Sequence, residues 1–272
     1  MTATQPNRQR TTAQGTALVT GAGTGIGAAV TRRLAAQGRN LVMVARDGAR
    51  LEDTAQRLRA EHGTDVLTVP LDLSREDGPA RLAERLKSAG VEVDTLVNNA
   101  GAALVGPVAE ADPEKLRALV GLNATAVAEL TALFLPAMVS RGRGAIVNIA
   151  STAAYAPAPY NAAYAASKAF VLSFTQALWQ ETRGTGVRVV AVSPGAVETP
   201  MNRSRVPGKR QPEQVADTVM TALRGRAPTV VDGRAFALQA LVFHRFLPTR
   251  TAARITGKFF GGAARAGRAR NG

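Results

Sequence analysis

Residues 16–27 read TALVTGAGTGIG. The first five positions have the apolar, β-branched character of a buried strand, and four glycines crowd the next seven, before a helix-period pattern begins at residue 25. A strand that ends in a glycine turn and restarts as a helix is the first half of a βαβ unit. Working outward, the same alternation recurs along the chain. Strand-like runs stand at 40–45, 65–70, 94–97, 144–149, 187–193 and 229–231, with amphipathic helical patterns at 25–37, 48–60, 75–89, 113–139, 160–183 and 213–224. Near-continuous apolar strands separated by helices predict a parallel sheet buried on both faces, with right-handed crossovers. The predicted fold class is α/β, a doubly wound parallel seven-stranded sheet in a single domain.

Composition agrees with one large core. The chain has 272 residues, 46% hydrophobic and 20% charged, which excludes general disorder. It has no cysteine and only two histidines, His62 and His244, so disulfides, thiol catalysis, Cys-type zinc sites and His-rich metal centres fall away, and no metal is expected. No G-x-S-x-G elbow is present, and Gly208-Lys209 is followed by Arg210 where a P-loop needs Ser or Thr. The longest apolar stretches, such as 235–243, are too short to span a bilayer, and the first fifteen residues lack an apolar signal core, so a cytoplasmic location is expected. The net charge of +14 is concentrated at the ends: residues 1–14 read as a polar N-terminal tail, and residues 248–272 as a basic C-terminal tail with six cations and no acid. A solvated end is the expected reading of that tail, with contact to nucleic acid or an anionic membrane as the alternative; no nucleic acid partner is expected.

Glycines at a strand-to-helix turn let backbone approach a pyrophosphate, whose charge sits against the amides and positive dipole end of the helix. A strict G-x-G-x-x-G on Gly21 and Gly23 fails at Ile26, while Gly23, Gly25 and Ala28 satisfy the looser form. Further motifs follow in order: Asn98-Asn99-Ala100-Gly101, then Tyr164-x-x-x-Lys168, then Pro194-Gly195. Together with T-G-x-x-x-G-I-G they resemble the short-chain dehydrogenase/reductase family of the single-domain Rossmann type, over roughly residues 15–232. The domain is expected to extend over 15–247.

The resemblance implies a dinucleotide held by Gly21, Thr24, Gly25, Ile26 and Gly27 of the first turn, by Ala100 and Gly101, and by Pro194, Gly195, Val197 and Thr199 at the nicotinamide end. It implies that Asp72 contacts adenine, although a helix-cap or turn acid is the other reading of that residue, and that Asn98 steadies the central strands and the cofactor cleft. At the end of the second strand an acid would favour NAD and an arginine the 2′-phosphate of NADP. Arg46 stands there after Ala45, which favours NADP(H), while Asp47 keeps NAD(H) open.

Tyr164 and Lys168 lie four residues apart, on one face of a helix. A tyrosine starts near ~10, and bringing it to neutrality requires about 4 kcal/mol of preferential phenolate stabilisation, which a lysine ammonium and a cationic nicotinamide are expected to supply. Tyr164 then serves as the proton donor for carbonyl reduction, or as acceptor in reverse. By resemblance, Ser151 hydrogen-bonds the substrate oxygen and Asn123 anchors a water that links Lys168 to solvent, completing a catalytic tetrad that also touches the cofactor through Tyr164 and Lys168.

Loops at the expected ligand end contribute Ala102, Leu104, Val105, Ala153, Tyr155, Pro157 and Tyr160, mostly apolar, pointing to a hydrophobic ketone or alcohol. The expected function is NADPH-dependent ketone reduction. An alcohol dehydrogenase, a 3-oxoacyl thioester reductase and a dinucleotide-sensing scaffold are the alternatives. Arg203, Arg205, Lys209 and Arg210 are the cations that a phosphate-bearing thioester carrier would meet, with a solvated loop as the plainer reading. Helix 235–247 is expected to pack in the core or at a subunit interface, with covering the pocket or lying on a membrane as other possibilities. By resemblance the long helices 113–139 and 160–183 pair between subunits of a homo-oligomer, a dimer or tetramer.

Overall fold

The computed structural model describes residues 15–202 and 208–268. Its seven strands are β1 (Thr16–Thr20), β2 (Asn40–Ala45), β3 (Val66–Pro70), β4 (Val93–Asn98), β5 (Gly144–Ile149), β6 (Val187–Ser193) and β7 (Thr229–Val231). They form one parallel sheet in the order β3-β2-β1-β4-β5-β6-β7. The first half of the chain winds outward from β1 to one edge, and the second half starts again beside β1 and winds to the other. The direction therefore reverses between β1 and β4, and a crevice opens there at the carboxyl ends of the strands.

Alternation along each strand divides the core in two. Ala17, Val19, Met43, Val97 and Val147 face a layer built by α1 (Gly25–Ala35), α2 (Gly48–His62) and α7 (Pro212–Arg224). Leu18, Val42, Val44, Leu96 and Ile146 face the opposite layer, built by α3 (Gly78–Ser88), α5 (Ala126–Ser140) and α6 (Ala162–Glu181). Side chains such as Leu18, Leu96 and Leu130 are fully buried or nearly so, each contributing about 1.5–3 kcal/mol of transfer free energy.

The predicted helix 113–139 is one continuous run with an interruption. It comprises α4 (Pro113–Val120), a π turn over Gly121–Thr125, and α5. The run Pro113–Ser140 is also long and apolar enough by composition to cross a bilayer, with mean hydropathy 1.7, which the sequence reading did not anticipate. Its inner face is committed to the protein: Leu119, Asn123, Leu130 and Met138 are all buried against the sheet and neighbouring helices, so it is a core helix.

The other departure is at the C-terminus. The segment expected as a basic tail is helical, α9 (Thr249–Arg268), following α8 (Arg234–Arg245). Its charge run conceals a helical period: Ala252, Thr256 and Phe260 share one face, and that face is turned inward. The N-terminal residues 1–14 lie outside the described residues.

Candidate active site

Three segments that leave β1, β4 and β6 are stitched together at the crevice. The Thr20 hydroxyl accepts from the backbone N–H of Asn99 and of Ala100, both at 3.0 Å, and the Asn99 amide donates to the carbonyls of Thr20 (2.9 Å) and Gly21 (3.2 Å). Gly27 is forced by this closeness, since a Cβ there would lie 2.2 Å from the Gly21 carbonyl oxygen. Gly25 combines a φ of +55° with the Thr199 methyl 3.0 Å from where its Cβ would stand, so the segment after β6 folds back onto the turn. Thr24, at the N-cap of α1, makes no side-chain cap, and the first turn of that helix contains no acid, which leaves its amides and dipole available to an anion. These residues fit a dinucleotide pyrophosphate.

Asn99 ties the cleft from above, and Asn98 steadies the central strands from below. Asn98 is buried beneath the crevice, where its amide donates to Asn148 (2.9 Å) and, at 3.4 Å, to the Thr131 hydroxyl. It joins β4 to β5 and α5. Arg46 is exposed at the end of β2, whereas Asp47 is engaged, accepting from the Arg50 N–H at 3.0 Å as the N-cap of α2 and pairing with the Arg50 guanidinium at 3.6 Å. Asp72 takes a turn-acid geometry, with Oδ1 accepting from the Ser74 N–H (2.9 Å) and hydroxyl (2.7 Å). Partial burial pushes its carboxyl up, but these bonds and the fields of Arg46 and Arg75 hold it below its ordinary value.

On the opposite side of the crevice the four tetrad residues converge. Ser151 follows β5 and is buried, its hydroxyl accepting from the Ala153 N–H at 3.1 Å and interacting with the Tyr164 phenol. Lys168 is buried one turn along α6, where its ammonium donates to the Ile149 carbonyl at 2.7 Å and lies 6.0 Å from the centre of the Tyr164 ring. Asn123 sits in the π turn, wholly buried; it accepts from the Ala102 N–H (2.8 Å) and donates to the Ala102 carbonyl (2.9 Å) and the Ser167 hydroxyl (3.0 Å). Ser167 in turn donates to the Tyr164 carbonyl at 2.7 Å, a link the motif spacing did not reveal. Gly101 packs tightly here: a Cβ would come within 3.2 Å of Asn123 Oδ1 and 3.7 Å of Lys168 Nζ.

The chain's own side chains do not by themselves supply the phenolate stabilisation. Burial pushes the Tyr164 phenol above its ordinary value of 10, outweighing the opposing interaction with Ser151, and burial holds Lys168 down to about 8. Four-residue spacing alone does not acidify the tyrosine, because desolvation acts on both partners and the ammonium is spent on the Ile149 carbonyl.

The remaining walls come from the substrate-side loops. The Thr152 N–H donates to the Pro194 carbonyl at 2.9 Å, and Gly195 lies so close to the Phe236 ring of α8 that a Cβ would stand 2.5 Å from it. Tyr155 bonds Ser193 through its hydroxyl (3.4 Å) and meets His244 edge to face at 5.8 Å. Tyr160 adopts a positive φ of 64°, with the Gly106 N–H donating to its carbonyl at 2.7 Å. Val197 bridges Arg210, whose guanidinium grips the fully buried Asp232 with two bonds of 2.9 Å, and Lys209 pairs with Glu198 at 3.1 Å. The cation run after Thr199 is thus partly neutralised, contrary to a free solvated or phosphate-seeking loop. Arg203 and Arg205 lie outside the described residues. Among the described residues no cluster of His, Cys, Asp and Glu is arranged for a metal.

The family model for the short chain dehydrogenases matches residues 15–210. The chain belongs to that family. It is an NAD(P)-dependent oxidoreductase with the Rossmann-type fold of its relatives. It is similar to the ketoacyl reductase HetN of Nostoc sp., 33% identical over 223 residues that cover 79% of this chain and 77% of the relative. A short-chain dehydrogenase from Sphingobium yanoikuyae in complex with NADPH superposes with a TM-score of 0.77 at 35% identity, covering 84% of this chain and 91% of that one. A short chain dehydrogenase/reductase from Burkholderia phymatum in complex with NAD superposes with a TM-score of 0.76 at 27% identity, covering 84% and 92% respectively.

Proposed function

We propose that the protein reduces the carbonyl of a hydrophobic ketone with NADPH. The observation that carries this reading is the convergence of Ser151 and Lys168 on Tyr164 beside the glycine turn. Bound in the crevice, the reduced nicotinamide supplies a hydride. Gly21, Thr24, Gly25, Ile26 and Gly27 hold the pyrophosphate, Asp72 the adenine, Ala100 and Gly101 line the crevice above Asn98, and Pro194, Gly195, Val197 and Thr199 hold the nicotinamide end. The Ser151 hydroxyl and the Tyr164 phenol bond the carbonyl oxygen. A phenol held above 10 keeps its proton until that oxygen gains negative charge, which suits reduction. Lys168 then relays the replacement proton from solvent, through a water that Asn123 anchors.

A fluorescence titration with NADPH and NADH, followed by turnover on a ketone panel that includes a 3-oxoacyl thioester, tests the assignment. Turnover of apolar ketones is expected; cofactor binding with no turnover on any substrate would make the protein a dinucleotide sensor. Paired Lys209 and Arg210 weigh against the thioester carrier.

NADP(H) is favoured over NAD(H) because Arg46 is exposed while the competing acid, Asp47, is committed to α2. Arg46→Asp is expected to lower kcat/KM for NADPH by about tenfold or more relative to NADH, since a charge-assisted contact becomes a repulsion. Unmoved ratios would remove Arg46 from the cofactor site.

Lys168 gives a second test. Reduction is expected to slow as pH rises through about 8, where the buried ammonium loses its charge. Stability runs the other way. The folded value of about 8 lies below the ordinary 10.5, so within that window the unfolded chain binds more protons and unfolding free energy rises with pH. Opposed slopes in rate and in urea melts, both flattened in Lys168→Met, are the expected signature.

A homo-oligomer, in the cytoplasm, completes the proposal. Its support is an uncovered apolar surface on the helices beside the site, Val120, Leu133 and Val139 together with Phe170.

A further inference from the structure

Beyond the last strand the chain adds α8 and α9, which lie outside the residues matched by the family model. Their inner faces lean on the substrate side of the site. Phe236 meets Gly195, His244 meets Tyr155, the Thr256 hydroxyl donates to the Pro157 carbonyl at 2.6 Å, and Gly261 lies under the Tyr160 ring. Their outer faces have no cover. On α8, Arg234, Leu238, Leu241 and Arg245 recur at three- and four-residue steps along one strip, all exposed. Phe246 follows at the corner, 72% exposed, and Ile255 and Phe259 stand out from α9 at 46% and 54%, flanked by Arg254 and Lys258.

Charge decides what fits this surface. After Asp232 the chain contains eight lysines and arginines and no acid. A second copy docking here would set Arg234, Arg245, Arg254 and Lys258 against their equals. Nucleic acid would satisfy the charges and leave the exposed leucines and phenylalanines in water. A lipid surface with anionic headgroups meets both, taking the apolar side chains below the headgroups while the cations stay among the phosphates. We propose that the outer face of α8 and α9 docks the protein on an anionic membrane surface.

The full-length protein is mixed with vesicles of equal parts phosphatidylcholine and phosphatidylglycerol, or of phosphatidylcholine alone, and the bound fraction is read by flotation. Binding to the anionic vesicles is expected to be at least about tenfold tighter, and to weaken severalfold as salt is raised from ~0.1 to ~1 M. Leu238→Ser/Leu241→Ser/Phe259→Ser, which keeps every cation, is expected to lose about tenfold. Arg234→Gln/Arg245→Gln/Arg254→Gln/Lys258→Gln is expected to lose the preference for anionic lipid. All seven side chains are exposed, and an unchanged thermal melt confirms the fold; the single Leu238→Ser variant is read if the triple melts early. No binding, equal binding to both vesicles, or full retention by the triple variant would overturn the proposal. So would a triple variant that changes oligomeric state by light scattering, which gives the face to a second copy, or one that keeps tight binding to duplex DNA, which gives it to nucleic acid. None of these readouts depends on the ketone reductase reading.

Discussion

In Tyr164→Phe, kcat for ketone reduction falls by at least ~10², while NADPH affinity stays within about twofold of the parent. The substitution keeps the ring and its packing on α6, and removes one oxygen and one transferable proton. The Ser151 hydroxyl remains, so the carbonyl is still bonded but has no acid beside it. Steady-state rates followed by NADPH absorbance, with affinity taken from fluorescence, separate the two quantities. Loss of affinity in proportion to rate would show that the phenol holds the crevice together instead of supplying a proton, and retained turnover would take Tyr164 out of the reaction.

The second large effect is expected at Gly27. Within an exposed helix, glycine to alanine adds about 1 kcal/mol of stability through propensity alone. Here the sign reverses, because the new methyl would lie 2.2 Å from the Gly21 carbonyl oxygen and 2.6 Å from the Asn99 amide, both held by the bonds that join β1 to β4. Backbone has to move. Overpacking of this kind costs about 1–3 kcal/mol and sometimes more, so Gly27→Ala is expected to lose about 3 kcal/mol in urea unfolding at unchanged m-value, and most of its NADPH affinity with it. Gly23→Ala is the control: its Cβ would meet only the Ala45 methyl at 3.6 Å and the Arg50 stem at 3.8 Å, and stability is expected to stay within about 1 kcal/mol. Equal losses in the two variants would refute the close approach of Gly27 as the cause.

Strands and their order of use were legible because parallel strands buried on both faces leave unbroken apolar runs, and the predicted 16–20, 40–45, 144–149, 187–193 and 229–231 coincide with the structure. The π turn at Asn123 was not, since one extra residue shifts the helical period only slightly in a run that is apolar on most sides. α9 was missed for the opposite reason: its unopposed cations read as a solvated tail while small residues, Ala252 and Gly261, make the buried contacts. The tetrad spacing is local and could be read, but the direction of the Tyr164 shift depends on what buries it. Likewise, Arg210 looks free until β7 brings Asp232 beside it, twenty-two residues on.

Tyr160 holds its left-handed backbone between Gly106 and α9, with Gly261 against its ring. The two partners lie on opposite sides of it in the chain, and the second arrives about a hundred residues later in synthesis. A nascent chain that has emerged as far as β7 already carries the whole sheet, the glycine turn and the tetrad, yet lacks the helix that closes over residues 157–160. The order of synthesis therefore builds the dinucleotide half first and the substrate wall last. A ribosome stalled before α9 has emerged would expose a chain able to fold its core and unable to finish its mouth.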